Sequence, residues 1–374
     1  MYEKDGGKKG EIFALCSKKV YFFAIFAKNR AVFGKNSANF PQKFVYVKKN
    51  PYLCAAWEKE RIKMITVVVP TYNNVTVLSK SLMTWTKQSM SVCEFEVIVV
   101  DNNSKDDTQD LVHEFEVQYG NIYYLKETTP GATNARHAGA RVAKGEILVF
   151  ADDDGLYNTD CLSAIADAFE RLNGVEAIAC KIDILWDKPA PEWLKPYAFM
   201  QGKLDYGSTL KMGYNLHCNS GLFAIKKKTF EELHGFNPDL IGGKLIGDGD
   251  TGLVIKMWDA CKLIGWTPFA KMQHMQQVDK HGSEKGIALH FYNTGVGDAY
   301  AIFRKNDFRL TWQVMKYFFM SVALFSKKWI QYYILNTKDR KVFFSLQQRR
   351  GQLEFFKNLC NKELRKEICK RDLY

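Results

Sequence analysis

The sequence predicts a doubly wound α/β domain, in which helices cover both faces of a mostly parallel sheet. Short apolar runs of four to eight residues alternate with helical stretches of ten to fifteen residues. The apolar runs are continuously hydrophobic, which is typical of strands that are buried on both faces. Polar segments follow the runs, where a parallel sheet gathers its ligand-binding loops.

Five strands and four helices are predicted in order along the first half of this domain. The strands are the apolar segments 64–70, 95–101, 121–126, 145–154 and 175–182. The helices are the segments 75–88, 106–119, 132–143 and 159–172. Beyond them the sequence predicts a strand that enters a helix over 217–227, a loop followed by a helix over 247–266, and an aromatic, apolar helical region over 310–335.

The charge is distributed unevenly over the 374 residues, whose formal net charge is +12. Residues 1–63 carry 14 basic and 5 acidic side chains, and residues 301–374 carry 17 and 6, whereas the part between them carries 22 and 30. A basic tail on an acidic body favours an anionic surface such as a membrane leaflet over a nucleic-acid groove. Solvated, lysine-rich helix faces are the alternative.

Three regions follow from these patterns. Residues 1–63 have no clean periodicity, and Met64 stands at the start of the first predicted strand. We expect residues 1–63 to be a poorly ordered basic extension or upstream sequence translated in error, and not a signal peptide, because Lys18 and Lys19 interrupt the apolar patch and no cleavage site follows. The catalytic domain is expected over 64–300, and a basic, aromatic-rich helical tail over 301–374.

The tail and the cysteines bear on location. Lys316, Lys327 and Lys328 divide the segment 310–335 into stretches that are too short to cross about 30 Å of hydrocarbon. An interfacial amphipathic helix and a helix packed on the sheet domain both remain open. The nine cysteines are scattered, without a CxxC pair or zinc-finger spacing, which favours reduced thiols in a cytosol.

The segment "FADDDG" carries Asp152, Asp153 and Asp154 at the end of a predicted buried strand. Two unit charges about 4 Å apart repel by roughly 4 kcal/mol at a protein surface, so the arrangement needs an opposing charge. A bound divalent cation would supply it; a solvated turn that caps the next helix is the alternative. The fingerprints GxGxxG and GxxxxGK[ST] are absent after the first strand, which argues against a nicotinamide dehydrogenase and a P-loop ATPase.

Five segments in order, "VVVPTYNN", "VIVVDNNSKDDT", "GATNARHAGARVAKGEILVFADDD", "NSGLFAIKK" and "GDGDTGL", resemble the family 2 glycosyltransferases of the GT-A fold. The resemblance runs from about residue 64 to residue 274. It implies a nucleotide-sugar half over 64–182 and an acceptor half over 183–300. It also implies inverting transfer of a sugar from a nucleotide diphosphate sugar, most simply a UDP-sugar, to a hydroxyl group.

The implied partners are the donor and a glycan or lipid-linked sugar acceptor, in bacterial surface-polysaccharide or glycolipid assembly. The expected location is the cytoplasm, with peripheral contact at the inner face of the plasma membrane and no nucleic acid. The implied cofactor is Mn²⁺ or Mg²⁺, held by Asp154 and completed by His274. His281 and His290 compete with His274 for that role, and a structural histidine is the plainer alternative.

The resemblance also implies which residues surround the nucleotide sugar. Asp152 would face the ribose, and Asp101 would accept a hydrogen bond from the base. Arg136 would bind phosphate through its guanidinium, or face solvent. The full set that is expected to bind the nucleotide sugar is Pro70, Thr71, Tyr72, Asn74, Asp101, Asn103, Asn134, Arg136, Asp152 and Asp153.

The general base is expected in "GDGDTGL", where alignment on Leu253 implies Asp250 and leaves Asp248 as a second candidate. Either residue would otherwise be a helix N-cap. Asn219 and Gly221 are expected beside the acceptor. Trp186, and with it Trp193, would stack on a sugar ring or simply fill core.

Two other functions remain open. A sugar nucleotidyltransferase uses a related sheet and a metal, but would carry a glycine-rich, arginine-containing loop where this chain has "PTYNN". A catalytically silent nucleotide-binding module would be expected to lose acids that are intact here. Retention of anomeric configuration is a third, weaker alternative.

Overall fold

The computed structural model describes residues 64–370. The predicted N-terminal extension over 1–63 lies outside this range. The strands are β1 (Ile65–Thr71), β2 (Phe95–Asp101), β3 (Ile122–Lys126), β4 (Ile147–Ala151), β5 (Gly155–Tyr157), β6 (Ala177–Trp186), β7 (Lys211–Gly213), β8 (Leu222–Lys226), β9 (Leu240–Ile241), β10 (Lys244–Leu245) and β11 (Ile264–Gln276).

The helices are α1 (Val75–Trp85), α2 (Thr108–Tyr119), α3 (Ala132–Val142), α4 (Cys161–Arg171), α5 (Lys227–Glu232), α6 (Gly249–Asp259), α7 (Glu284–Lys305), α8 (Trp312–Trp329), α9 (Arg340–Leu359) and α10 (Lys362–Ile368). A 3₁₀ helix spans Glu192–Gln201, and a π-helical turn over Ile330–Ile334 continues α8. The strands and helices predicted between 64 and 182 are present, with bounds that shift by a few residues.

The central sheet has nine strands in the order β3-β2-β1-β4-β8-β6-β11-β5, and β7 also pairs with β11. Strands β1 to β4, β6 and β11 run in one direction. Strand β8 lies antiparallel between β4 and β6, and β5 and β7 are antiparallel to β11. The predicted mostly parallel sheet with flanking helices is confirmed. The antiparallel direction of β8 is new, because an apolar run of five residues is the same for both directions.

Alternate side chains of the central strands enter two separate cores, one on each face of the sheet. Val67 and Val69 of β1 belong to the core under α1, α2 and α4, whereas Val68 belongs to the core under α3 and α6. All three valines are fully buried. This two-sided burial is the physical reason for the uninterrupted hydrophobicity of the strand sequences.

The C-terminal region is helical, as predicted, and has its own core. Val296, Phe303 and Phe355 pack there with Val314 of α8 and Ile241 of β9. Helix α7 runs continuously from Glu284 to Lys305, so the domain boundary predicted at residue 300 falls inside a helix. No helix within residues 64–370 has the length and apolar composition that are needed to cross a bilayer.

Two glycines allow α7 and α9 to pack backbone against backbone. A Cβ on Gly295 would lie 1.9 Å from the Gln348 carbonyl oxygen, and a Cβ on Gly351 would lie 2.0 Å from that of Tyr292. Real Cβ atoms never approach a carbonyl oxygen this closely, so a side chain at either position would push the helices apart.

We therefore expect Gly295→Ala to lower the free energy of unfolding by about 1–3 kcal/mol through overpacking. Gly297→Ala is the matched control on the same helix, because its Cβ would meet nothing nearer than the Gly247 carbonyl oxygen at 3.4 Å. The control should be neutral or stabilising by about 0.5–1 kcal/mol, since alanine is the better helix former. Denaturant unfolding of both variants measures the difference, and equal effects would contradict the close packing of α7 on α9.

Candidate active site

The acidic segment lies at the C-terminal end of β4, where three structural elements meet. The Asp152 backbone N–H donates to the Gly221 carbonyl oxygen at 3.2 Å, which ties the segment to the start of β8. Strand β5 follows at once and pairs antiparallel with β11, so that Gly155 lies opposite His274. The Met275 N–H donates to the Asp154 carbonyl oxygen at 2.9 Å. This pairing is the reason that a residue 120 positions further along the chain stands beside Asp154.

Asp152, Asp154 and His274 each present one ligand atom, and these atoms lie within 4.8 Å of one another. The Nε2 atom of His274 is 3.0 Å from Asp154 Oδ1. All three side chains are partly buried and still reach solvent, with 27%, 24% and 16% exposed. Two carboxylates and an imidazole around one point form a donor set that suits Mn²⁺ or Mg²⁺.

The orientation of His274 fits a metal ligand. Its Nδ1 atom lies 2.9 Å from the Gln201 backbone carbonyl oxygen, which can only accept, so Nδ1 carries a proton and donates. The neutral ring then directs the lone pair of Nε2 towards Asp154. A backbone carbonyl that fixes the tautomer in this way is the usual support behind a metal-binding histidine.

Without a cation, a proton takes the same place. Burial lowers the pKa of His274, but the carboxylates of Asp154 and Asp152 outweigh burial and raise it to about 9. The acidic cluster therefore holds a positive charge at Nε2 in either case, as the repulsion among its carboxylates requires.

The other two acids are bound to their own partners. Arg136 NH2 lies 2.7 Å from Asp152 Oδ1, and the Nε atom of Arg136 is buried with no hydrogen-bond partner in the described part of the chain. Burial raises the pKa of Asp152, and Arg136 opposes that shift. Thr71 Oγ1 donates to Asp153 Oδ2 at 2.6 Å, while burial raises the pKa of Asp153 to about 7.

The loop after β2 is held by Asp101, which is almost fully buried. Its Oδ1 accepts from the Ser104 N–H at 2.7 Å, and its Oδ2 accepts from the Tyr124 hydroxyl at 2.7 Å. Each oxygen therefore already has one internal partner, and contact with a base would use the remaining lone pairs. Its role as the base-binding residue stays a prediction.

The remaining predicted nucleotide-sugar residues lie around the same edge or close to it. Pro70 is buried in β1, and Tyr72, which follows β1, is 59% exposed. Asn103 is exposed in the loop after β2 with a φ of 67°. Asn74 is the residue before α1, and Asn134 at the start of α3 donates to the Pro130 carbonyl oxygen at 2.8 Å. Their roles also stay predictions.

The two candidate bases are in different surroundings. Asp250 Oδ2 accepts from the backbone N–H and the hydroxyl of Ser220, at 3.2 and 3.0 Å. Since Ser220 precedes Gly221, whose carbonyl binds the Asp152 N–H, Asp250 is linked directly to the acidic segment.

Asp248 is buried away from that contact, and both of its oxygens are used. Oδ1 accepts from Asn237 Nδ2 at 2.7 Å, and Oδ2 lies 3.2 Å from Arg304 NH2 on α7. Burial raises its pKa, and Arg304 opposes the shift. This buried pair connects the start of α6 to the C-terminal helices. The geometry thus favours Asp250 over Asp248 as a group that a substrate can reach.

The predicted acceptor residues divide into two groups. Asn219 and Gly221 lie at the acidic segment, where a Cβ on Gly221 would stand 3.2 Å from Asp152 Oδ2. Asn219 Oδ1 accepts from the Gly221 N–H at 2.8 Å and shapes this turn. Trp186 and Trp193, by contrast, pack partly buried against the small core of Leu194, Ile287, Ala288 and Phe344, so the core-filling alternative describes their present contacts.

Several site residues escaped the sequence analysis. Gln276 Nε2 lies 3.2 Å from Asp154 Oδ2 and 2.8 Å from His274 Nε2. The Tyr157 hydroxyl donates to the Asp152 carbonyl oxygen at 2.7 Å and supports the acidic segment from below. The position of Gln276, two residues after His274 on the same strand face, was the signal available. Ser220 and Gln201 gave no sequence signal, because each acts through contacts that only the fold creates.

Comparisons with known proteins agree with this arrangement. Residues 66–233 match the family model described as glycosyl transferase family 2, which ends before Asp250 and His274. The poly(ribitol-phosphate) beta-glucosyltransferase of Bacillus spizizenii is 30% identical over 102 residues, which are 26% of this chain and 16% of that protein. The glycosyltransferase AglE of Haloferax volcanii is 33% identical over 94 residues, which are 25% of this chain and 31% of that protein.

Among solved structures, the mannosyltransferase PcManGT from Pyrobaculum calidifontis, in complex with GDP-Man and Mn²⁺, is 20% identical with a TM-score of 0.49. The alignment covers 82% of this chain and 91% of that chain. The chain spans less than a third of the length of the two curated relatives. The family match and the sheet that carries it identify the chain as a member of glycosyl transferase family 2 with a GT-A fold.

Proposed function

We propose that the protein is an inverting glycosyltransferase that moves a sugar from a nucleotide diphosphate donor, a UDP-sugar first, to a hydroxyl acceptor. The observation that carries the proposal is the convergence of Asp152, Asp154 and His274 on one point at the C-terminal edge of the sheet. These residues would hold Mn²⁺ or Mg²⁺. When bound, such an ion neutralises negative charge on the departing diphosphate.

The chain's own residues supply the donor contacts. Arg136 already has one guanidinium nitrogen on Asp152, and its buried Nε is a free donor in the described part of the chain for a phosphate oxygen. Asp152 would accept from the ribose. Asp101 and the exposed ring of Tyr72 flank the loops in which the base would lie.

The proposed base is Asp250. A carboxylate whose only side-chain partner is the Ser220 hydroxyl keeps lone pairs that can take the proton of an acceptor hydroxyl. The oxygen so activated would attack the anomeric carbon from the side opposite the diphosphate, which inverts the configuration. Asp248 is proposed to hold α6 in place instead, since its two oxygens are bound to Asn237 and Arg304.

The proposed acceptor is a hydroxyl-rich glycan or a lipid-linked sugar. The name of the Bacillus spizizenii relative, a poly(ribitol-phosphate) beta-glucosyltransferase, supports an acceptor of the cell-surface polymer class. The proposed location is the inner face of the plasma membrane, where such acceptors are assembled on lipid.

The test is a turnover screen of UDP-, GDP- and dTDP-sugars with a panel of polyol and glycan acceptors, with Mn²⁺ and with a chelator. We expect metal-dependent release of nucleoside diphosphate and a product of inverted configuration. A sugar nucleotidyltransferase would instead release pyrophosphate from a nucleoside triphosphate and a sugar phosphate. Binding of the donor without turnover for every acceptor would favour the silent module, and a retained configuration would overturn the single displacement.

A further inference from the structure

Helix α8 and the π-helical turn that follows it have an apolar face that the rest of the described chain leaves uncovered. Only Val314, Tyr317 and Ser321 of α8 are buried, all on one side. On the other side the exposed large side chains recur at helical spacing. These side chains form the α8 face: Leu310, Trp312, Phe319, Met320, Val322, Trp329, Ile330, Tyr333, Ile334 and Leu335.

The exposure of this face is large for single side chains. Trp312 is 76% exposed, Phe319 is 57% exposed and Ile334 is 63% exposed. Isolated exposed apolar residues are ordinary on soluble proteins, but ten within 26 consecutive residues of one helical segment form a continuous patch. A patch of this kind marks a surface that binds something apolar.

The charges around the patch are of one sign. Residues 309–338 contain five basic side chains and no acidic one. The basic residues are Arg309, Lys316, Lys327, Lys328 and Lys338. Lys316 and Lys327 are exposed, and the Lys338 ammonium group lies 4.9 Å from the centre of the Tyr332 ring. The partner of the α8 face is therefore apolar in one layer and negatively charged in the layer next to it.

Charge argues against two occupants from this chain itself. Residues 1–63 carry 14 basic and 5 acidic side chains, so they would add positive charge to a positive surface. A second copy joined through the same patch on a two-fold axis would bring the lysines of both copies together. Neither arrangement supplies the missing negative charge.

We infer that the α8 face docks on an anionic lipid surface. The helix would lie in the plane of the membrane, with Trp312, Phe319 and Ile330 among the acyl chains just below the headgroups and the lysines at the lipid phosphates. The helix does not have the apolar length to cross the bilayer. The inference does not depend on the transferase proposal, because binding to vesicles requires neither donor nor acceptor.

The experiment is flotation of the full chain with vesicles of pure phosphatidylcholine and with vesicles that contain phosphatidylglycerol as well. We expect at least tenfold stronger binding to the anionic vesicles, because each basic residue near the surface contributes about 1 kcal/mol. High salt should weaken that binding, since it screens the charges. Equal binding to both vesicle types, or binding to neither, would overturn the inference.

Matched variants assign the binding to the α8 face. Lys316→Glu with Lys327→Glu should abolish binding to anionic vesicles, while Lys80→Glu with Lys87→Glu, the same charge change at exposed positions near α1, should leave vesicle binding much less affected. Phe319→Ser with Ile330→Ser should weaken binding at least tenfold, whereas Val117→Ser, at a site 89% exposed on α2, should not.

Two further measurements separate the other outcomes. Thermal unfolding checks that the Phe319 and Ile330 variant folds; if it does not, the exposed lysine pair alone decides. Light scattering reports the oligomeric state. If the wild type is a dimer that the Phe319 and Ile330 substitutions dissociate, and vesicle binding is unchanged, a second copy covers the face and the lipid inference is wrong.

Discussion

Asp154→Ala is expected to lower metal-dependent sugar transfer by at least about 100-fold, because a cation at a departing diphosphate contributes several kcal/mol to the transition state. The variant loses one of the three ligand atoms that lie within 4.8 Å of one another. It should not lose stability in a chelator, since removing one of three adjacent carboxylates relieves repulsion. The measurements are steady-state turnover over a range of Mn²⁺ concentrations and thermal unfolding with and without Mn²⁺.

Asp167→Ala is the matched control for this variant. Asp167 is a carboxylate on α4 whose side chain is 49% exposed and pairs only with Arg171 at the surface. It should keep both turnover and the rise in unfolding temperature that Mn²⁺ gives the wild type. Full metal-dependent turnover in Asp154→Ala would show that the cation is held elsewhere.

Asp250→Asn is expected to lower kcat by about 10²–10⁴-fold, the usual contribution of a general base, with little change in donor affinity. The amide oxygen can still accept from the Ser220 hydroxyl, so the local structure should remain. The measurement is kcat at saturating acceptor together with the dissociation constant of the nucleoside diphosphate.

Asp248→Asn is the companion variant, and the expected result is of another kind. It leaves Arg304 without its partner charge in a buried position, which we expect to lower the free energy of unfolding by about 3 kcal/mol. The folded fraction should retain most of its turnover. The opposite pattern, a stable Asp248→Asn without turnover and an active Asp250→Asn, would exchange the two roles.

The sequence predicts the parts of this fold that local pattern controls. Val67, Val68 and Val69 alternate between two cores, and such two-sided burial is visible as an unbroken apolar run. The position of the triple aspartate at the end of β4 follows from the same run. The direction of β8 does not, because five apolar residues fit either direction and only the pairing with β4 and β6 decides it.

What escaped prediction depends on contacts between distant residues. Arg304 is 56 residues from Asp248, and no local pattern marks the two as a pair. Gly295 and Gly351 are ordinary helix glycines in the sequence and reveal their role only where α7 meets α9. The tail was open between an interfacial helix and a packed one, and α8 is packed through Val314 and Tyr317 while its opposite face stays exposed.

The most direct test of the site is calorimetry of Mn²⁺ with UDP and GDP on the wild type, Asp154→Ala and His274→Ala. If Asp152, Asp154 and His274 hold a cation that binds a diphosphate, the wild type takes up Mn²⁺ and nucleotide together, His274→Ala binds more weakly and Asp154→Ala loses the metal-dependent uptake. Undiminished uptake by both variants, or no uptake by the wild type with either nucleotide, would contradict the account.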